Sequence, residues 1–446
     1  MKLTSLVAVL FGSLCPLMGQ TQFFPLGFLG STGPSEANAL TRDGTKAIGY
    51  SYSGTANAGN AACWWTSAGI VAVPGQENWF DTSAYGIAAD GSVIVGEGNS
   101  TLGAQFAWYW TPMGGQLQKI QFPSAQLSSA AQSVSGDGRV VVGTATSPNT
   151  LQSKAFRWDR SQTMAVFLPP YPPSTVPNGG AAGVSDDGRR VVGWVQTGLS
   201  TQAAARWDDG GNPVLFSQAG DATVAVSANG ISPDGSTVVG SGLNTVTGKG
   251  VGFKWTAAGG VVALPNPTTG FYAIDGATAI KVSGDGRVIV GYGVNVAGDD
   301  EAIFWVNGQP YRVYDVATAG GVLPDRWEPF RAYGVDYFGN SICGYGRATS
   351  GKLEAYVLII DATPTPPALI APSLRYSFTP GTRTLAIRYA TVPGLRYRMR
   401  GGATLPALPL LGGWSPGLGA DQEFLATPAV TGGANNFFLQ LEVALP

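Results

Sequence analysis

VSGDGRVVVG, residues 134–143, returns almost letter for letter as VSGDGRVIVG at residues 282–291. Each copy reads as the end of a strand, an Asp-Gly turn in which positive φ is needed, and the start of a second strand. The run ending VVVG or VIVG is β-branched and apolar on both faces, which suits a strand covered on both sides. The same ten residues far apart in one chain signal a repeat architecture.

Working outward from this turn, the Asp-Gly pair recurs at Asp43-Gly44, Asp90-Gly91, Asp137-Gly138, Asp187-Gly188, Asp234-Gly235 and Asp285-Gly286, with a degenerate Phe338-Gly339. Five residues beyond each turn Gly stands another, at Gly49, Gly96, Gly143, Gly193, Gly240, Gly291 and Gly344. Some 20 residues beyond each Asp stands Trp65, Trp110, Trp158, Trp207, Trp255 or Trp305, with Leu358 in the seventh copy. An Ala-initiated segment such as AQSVS or ANGIS precedes each turn. A third strand follows in ACWW, AWYW, AFRW, AARW, GFKW, AIFW and AYVL, and a fourth in segments such as MAVFL and VVAL. Four short antiparallel strands per unit make a propeller blade, which buries both faces only when neighbours stack around an axis. The expectation is an all-β, seven-bladed β-propeller over residues 21–361, with the recurrent Asp, Gly and Trp as scaffold.

The seventh copy runs into ATPTPPALIAP without a fourth strand, while FFPLGFLG, residues 23–30, stands orphaned before the first. Residues 23–29 are therefore expected to form the outer strand of blade seven and close the ring, leaving no unpaired edge there. Cys63 then falls on blade one and Cys343 on its neighbour, blade seven. They are expected either to form one disulfide or to remain two buried thiols.

Composition narrows the function. With 44% hydrophobic residues, the 446-residue chain is globular rather than disordered. It contains no His, which removes His bases, His metal ligands and His pH switches. A formal charge of -2 gives no footprint for nucleic acid or an anionic membrane. MKLTSLVAVLFGSLCPLMGQ, residues 1–20, has the pattern of a signal peptide, so an extracellular or cell-surface location is expected. No later stretch is long and apolar enough to span a bilayer. No cofactor is expected, and the chain is expected to be a monomer.

The units A-x-G-[IV]-S-x-D-G-x-x-V-V-G followed by A-F-x-W are matched best at residues 131–143 and 155–158. In this the chain resembles the HAF-repeat family of extracellular, predominantly bacterial proteins, over about residues 23–361. The resemblance implies export and a propeller-like fold and no particular chemistry. The His of the family's His-Ala-Phe triplet is replaced here by residues such as Lys154, Glu301 and Glu354.

Residues 362–372 are Pro-rich and read as a stiff linker. Beyond them, SLRYSF, TLAIRY, LRYRMR and NFFLQLEV are strand-like, so residues 373–446 are expected to form a small β-sandwich. This segment resembles C-terminal modules of secreted bacterial proteins, matched at Tyr397, Trp414 and Phe438.

In a propeller, loops rather than repeated positions carry function. The connections from a fourth strand to the next first strand combine aromatic rings with carboxylates. GQENWFDT holds Glu77, Trp79, Phe80 and Asp81; GFYAID holds Phe271, Tyr272 and Asp275; DRWEPF holds Asp325, Trp327 and Glu328. Exposed, they would suit a sugar; packed under their own loops, they would be structural. The chain is thus expected to be a non-catalytic module binding a glycan or a surface protein. The alternative is a carboxylate-dependent polysaccharide hydrolase or lyase, which needs two carboxylates converging near the ring axis. Asp299-Asp300-Glu301, the one acidic run, reads as a surface triplet rather than a metal site.

Overall fold

The computed structural model describes residues 21–360, apart from 31–32, 55–58, 76–78, 101–102, 173, 175, 217–221 and 268–273, and the backbone of strands beyond residue 374. The chain divides into two compact units, Gln20–Ala362 and one that holds Thr363–Pro446. The signal-peptide and linker expectations fall outside the described residues.

The first unit contains seven four-stranded antiparallel sheets. Blade 3 is representative, with strands Ser128–Val134, Val140–Thr146, Ser153–Asp159 and Val166–Phe167. The first strand of every blade touches the first strands of both neighbours, blade 7 touching blade 1. First strands therefore form the inner wall, and the ring is closed.

The Asp-Gly turn owes its recurrence to its own hydrogen bonds. The Ser135 hydroxyl donates to Asp137 Oδ1 at 2.6 Å and accepts from the Val140 N–H at 2.9 Å. The same carboxylate accepts from the Arg139 N–H at 2.9 Å, while Gly138 sits at φ +72°. Blades 4, 5 and 6 repeat this with Ser185, Ser232 and Ser283. In blade 7, Asp336 replaces the Ser and accepts from the N–H groups of Asn340 and Ser341 at 2.7 and 3.2 Å.

The second recurrent Gly has a different cause. Every first strand carries a bulge immediately after its leading Ala, as between Ala131 and Ser133. The bulge turns the preceding carbonyl toward the neighbouring strand. A Cβ on Gly143 would lie 2.0 Å from the Ala130 oxygen, and its counterparts in the other six blades would lie 1.9–2.0 Å from theirs. Only a residue without a side chain fits there.

Apolar clusters fill the gaps between blades. Val141 packs with Val93 and Val95 of blade 2, while Val140 and Val142 pack with Val191 and Trp207 of blade 4. The apolar run is thus covered on both faces. The recurrent Trp residues and Leu358 are all buried.

Strand Gln22–Pro25 pairs antiparallel with the third strand of blade 7, Leu353–Ile359, with Phe23 opposite Leu358. Phe23 is buried against Trp327 and Tyr356, at ring-centroid distances of 4.9 and 5.1 Å. This closing strand is shorter than expected. Pairing ends with the Leu26 N–H on the Ala355 oxygen, and Gly27, at φ +73°, turns the chain away. A short helix unforeseen from the sequence, Val313–Ala319, lies between blades 6 and 7 and buries Val313 and Ala317 in the cluster that holds Phe23.

Cys63 and Cys343 are both buried and unbridged in one cluster at the blade 7–blade 1 interface, so the pair stands as two thiols rather than a disulfide. Burial pushes both thiols up, as expected of small apolar fillers.

The second unit has two three-stranded antiparallel sheets. One joins Arg375–Thr379, Thr384–Ala390 and Asp421–Ala426; the other joins Arg396–Gly402, Ser415–Pro416 and Phe438–Ala444. No described helix is long and apolar enough to cross a membrane.

Candidate functional site

The two mouths of the ring differ. At the turn mouth, the residue between the Ser and Asp positions of one blade reaches its counterpart in the next. Arg42 donates its N–H to Ala89 O at 3.0 Å, Ala89 to Gly136 O at 3.0 Å, Asp186 to Pro233 O at 2.8 Å, Gly284 to Tyr337 O at 2.8 Å, and Tyr337 to Arg42 O at 3.1 Å. Over this belt the Arg42 guanidinium pairs with Asp186 and sits 4.6 Å from the Tyr337 ring centre. This mouth is bridged by the Arg42–Asp186 pair.

Toward the loop mouth, the inner wall of blades 6, 7, 1 and 2 carries a cluster of tyrosines and charged groups. Its members flank the scaffold positions. Glu36 and Arg331 precede the leading Ala; Tyr85 and Tyr333 are the bulge residues; Tyr50, Glu97, Tyr292 and Tyr345 follow the second Gly. All are half-buried.

The side chains hold one another. The Tyr85 hydroxyl donates to Glu97 Oε1 at 2.7 Å, and Gln105 Nε2 donates to Glu97 Oε2 at 2.8 Å. The Tyr50 hydroxyl is hydrogen-bonded to Glu36. Arg331 donates from Nε to Asp300 Oδ2 at 2.6 Å and from a terminal nitrogen to the Tyr333 hydroxyl at 3.1 Å. Its guanidinium lies 4.2 Å from the Tyr292 ring centre, and Tyr333 and Tyr345 are 5.7 Å apart. Burial pushes the carboxyls of Glu36 and Glu97 above the ordinary range, against the pull of their tyrosine partners. Burial and the nearby carboxylates push the Tyr50 and Tyr85 hydroxyls up as well, so both remain neutral donors. In blades 3, 4 and 5 the corresponding positions hold residues such as Thr144, Ala182, Ser241 and Asn229, so the charge is confined to one side of the wall.

The loop residues singled out from the sequence do not form this cluster. Trp327 is a core residue, edge-on to Tyr356 at 5.6 Å. Trp79 packs on Phe106 at 4.3 Å, and Phe80 is half-buried beside it at the start of the first strand of blade 2. Asp81 accepts from the Asn60 N–H at 2.8 Å and so pins a loop. Asp275 pairs with Lys249, and Glu328 lies 3.4 Å from Arg347. The Asp325 carbonyl accepts from Thr349, holding that loop closed. Glu77, Phe271 and Tyr272 lie outside the described residues. In the acidic run, Asp300 is bound to Arg331 and Glu301 to Arg312. Among the described residues no three metal-ligand side chains converge.

One further charge stands in the inner wall. Lys281 of blade 6 occupies a position held elsewhere by Ala39, Gly86, Ser133, Gly183, Gly230 and Gly334. Burial pushes its ammonium down to about 8.

No family model matches the chain, and no curated protein matches it. Solved structures do. The β-propeller domain of the Trilobed protease from Pyrococcus furiosus is 10% identical, with a TM-score of 0.48 over 75% of this chain and 99% of that one. Oligogalacturonate lyase from Vibrio parahaemolyticus is 11% identical, with a TM-score of 0.48 over 76% and 96%. TolB from Acinetobacter baumannii is 14% identical, with a TM-score of 0.38 over 52% of this chain and 55% of that one, so the chain spans about half of TolB's length. The likeness is one of fold.

Proposed function

We propose that the protein is an exported, non-catalytic binding propeller of the HAF-repeat type that takes a glycan at its loop mouth. The observation that carries this reading is the half-buried tyrosine cluster of blades 6, 7, 1 and 2, held by Glu36, Glu97 and Arg331. Tyrosine rings offer flat apolar faces with a polar tip, and a few convergent polar groups orient a ligand. Hydroxyl-rich ligands suit a wall of neutral phenols and carboxylates better than a strongly charged ligand does. The turn mouth is bridged by Arg42 and Asp186, which favours the loop mouth as the way in.

The hydrolytic alternative is less well supported. A two-carboxylate mechanism needs one group free to give a proton and another to act on carbon or water. Both Glu97 oxygens are engaged, by Tyr85 and Gln105, and Asp300 is tied to Arg331.

The test is binding of the purified protein to a panel of soluble polysaccharides and oligosaccharides, by calorimetry and affinity electrophoresis. Retention is expected with at least one of them, weakened about tenfold or more, roughly 1.4 kcal/mol, in Tyr50→Ala and Tyr345→Ala. Absence of binding across the panel, or binding indifferent to both substitutions, overturns the reading.

A further inference from the structure

The loops joining second to third strands stand on the same face as the loop mouth. In four successive blades each presents one aliphatic side chain to solvent: Leu151 at 70% exposure, Leu199 at 84%, Val246 at 82% and Val296 at 62%. Leu243 and Val294 are also exposed at the bases of the last two loops. Isolated exposed aliphatics need no explanation. The same kind of residue at the same place in four neighbouring blades does.

These tips are held rather than loose. Leu151 donates its N–H to Ser147 O at 3.0 Å, Thr197 to Thr201 O at 2.9 Å, and Val246 to Asn244 Oδ1 at 3.0 Å. Leu151 sits at φ +55°, where glycine would be unstrained and a branched side chain is not. The loop accepts that strain and keeps a leucine outward.

Charge narrows what could cover the tips. Residues 147–152 and 197–201 contain no ionisable side chain. In the third loop Lys249 is neutralised by Asp275, and the fourth adds only Asp299. A surface matched to these loops has no net charge of its own. The four tips also sit on four separate loops among Ser, Thr, Gly and Asn, rather than along one element as the anchors of a protein-binding groove do. A fluid lipid interface needs no such continuity, because each side chain can be immersed alone.

We propose that the loop face of blades 3–6 docks onto an uncharged lipid surface, with Leu151, Leu199, Val246 and Val296 immersed at the headgroup–acyl boundary. This rests on the loop tips and is independent of glycan binding.

The test is co-flotation of the full chain with phosphatidylcholine vesicles at low and high salt. Binding is expected at both, reduced about a hundredfold in Leu199→Ser/Val246→Ser, since each buried aliphatic contributes about tenfold. Both sites are solvent-exposed, so an unchanged thermal melt should confirm that the variant is folded. No co-flotation of the wild type overturns the proposal. So does binding that requires phosphatidylserine and vanishes with salt, or binding the double variant retains. Retention on a polysaccharide without vesicle binding sinks the lipid proposal and leaves the glycan reading standing.

Discussion

The guanidinium of Arg42, on the turn of blade 1, pairs with the carboxylate of Asp186, on the turn of blade 4, across the ring. Two non-adjacent blades can touch only because the turns crowd together at that end. The first Gly of each near-identical decapeptide makes room for this closure. A Cβ on Gly136 would lie 2.4 Å from Asp186 Oδ1, and one on Gly284 would lie 2.4 Å from the Tyr337 ring.

Gly136→Ala should therefore displace the Asp186 carboxylate and break the pair. The pair is partly exposed, so the loss is expected to be modest, about 1 kcal/mol or less. Asp186→Asn should cost a similar amount, and the double variant little more than either alone. A double-mutant cycle of urea midpoints checks this; full additivity would mean that Gly136 acts elsewhere.

Gly143→Ala should be far worse. The Cβ meets backbone, the Ala130 carbonyl at 2.0 Å, which cannot swing aside. A loss of at least about 3 kcal/mol or failure to fold is expected. Gly250→Ala, with nothing within 4 Å, should stay within about 1 kcal/mol of wild type. Paired thermal melts decide.

At the closing strand, Phe23→Ala should destabilise by about 3–5 kcal/mol, because Phe23 fills the space between Trp327 and Tyr356. Its neighbour Phe24 is 44% exposed, and Phe24→Ala should cost about 1 kcal/mol or less. Equal effects at the two positions would contradict the register of the closing strand.

Lys281 offers a pH test. Its ammonium is pushed from 10.5 to about 8 in the folded chain. Below about 8 both states hold the proton, and the native state bears the full cost of burying charge. Between about 8 and 10.5 the unfolded chain holds more protons, so wild-type stability rises with pH. Lys281→Met should therefore be more stable than wild type by roughly 2–3 kcal/mol at neutral pH, an advantage that fades by pH ~10.5. Urea midpoints at neutral and alkaline pH measure it.

The ring was legible because its causes are local and repeated. A Ser-x-Asp-Gly turn closes on itself, and a Gly opposite a bulge is required in every blade, so both leave a periodic trace. The partnership of residues 23–29 with blade 7 was legible as a deficit at one end and a surplus at the other, although Gly27 ends the strand early. The helix Val313–Ala319 was not legible, being a single short insertion with no repeat to set it apart. The candidate site was missed for the opposite reason. Glu36, Tyr50, Tyr85, Glu97 and Arg331 sit beside scaffold residues inside the repeat, whereas function in a propeller is expected in its loops. Their trace was the variable position in an otherwise constant stretch, charged only in the adjacent blades 7, 1 and 2, at Arg331, Glu36 and Glu97. Trp327 was misplaced because a Trp beside carboxylates in a connection reads like a binding motif, whereas here it backs the closing strand.

The closing strand also sets an order of events. The Gly27 N–H meets Glu354 Oε1 at 3.0 Å across 327 residues of chain. A segment made before all seven repeats therefore finds its partner only after the last of them, and six complete blades cannot lock before the seventh emerges. Until then the nascent chain stays open at one seam, with an unpaired strand edge within reach of proteases and of other chains.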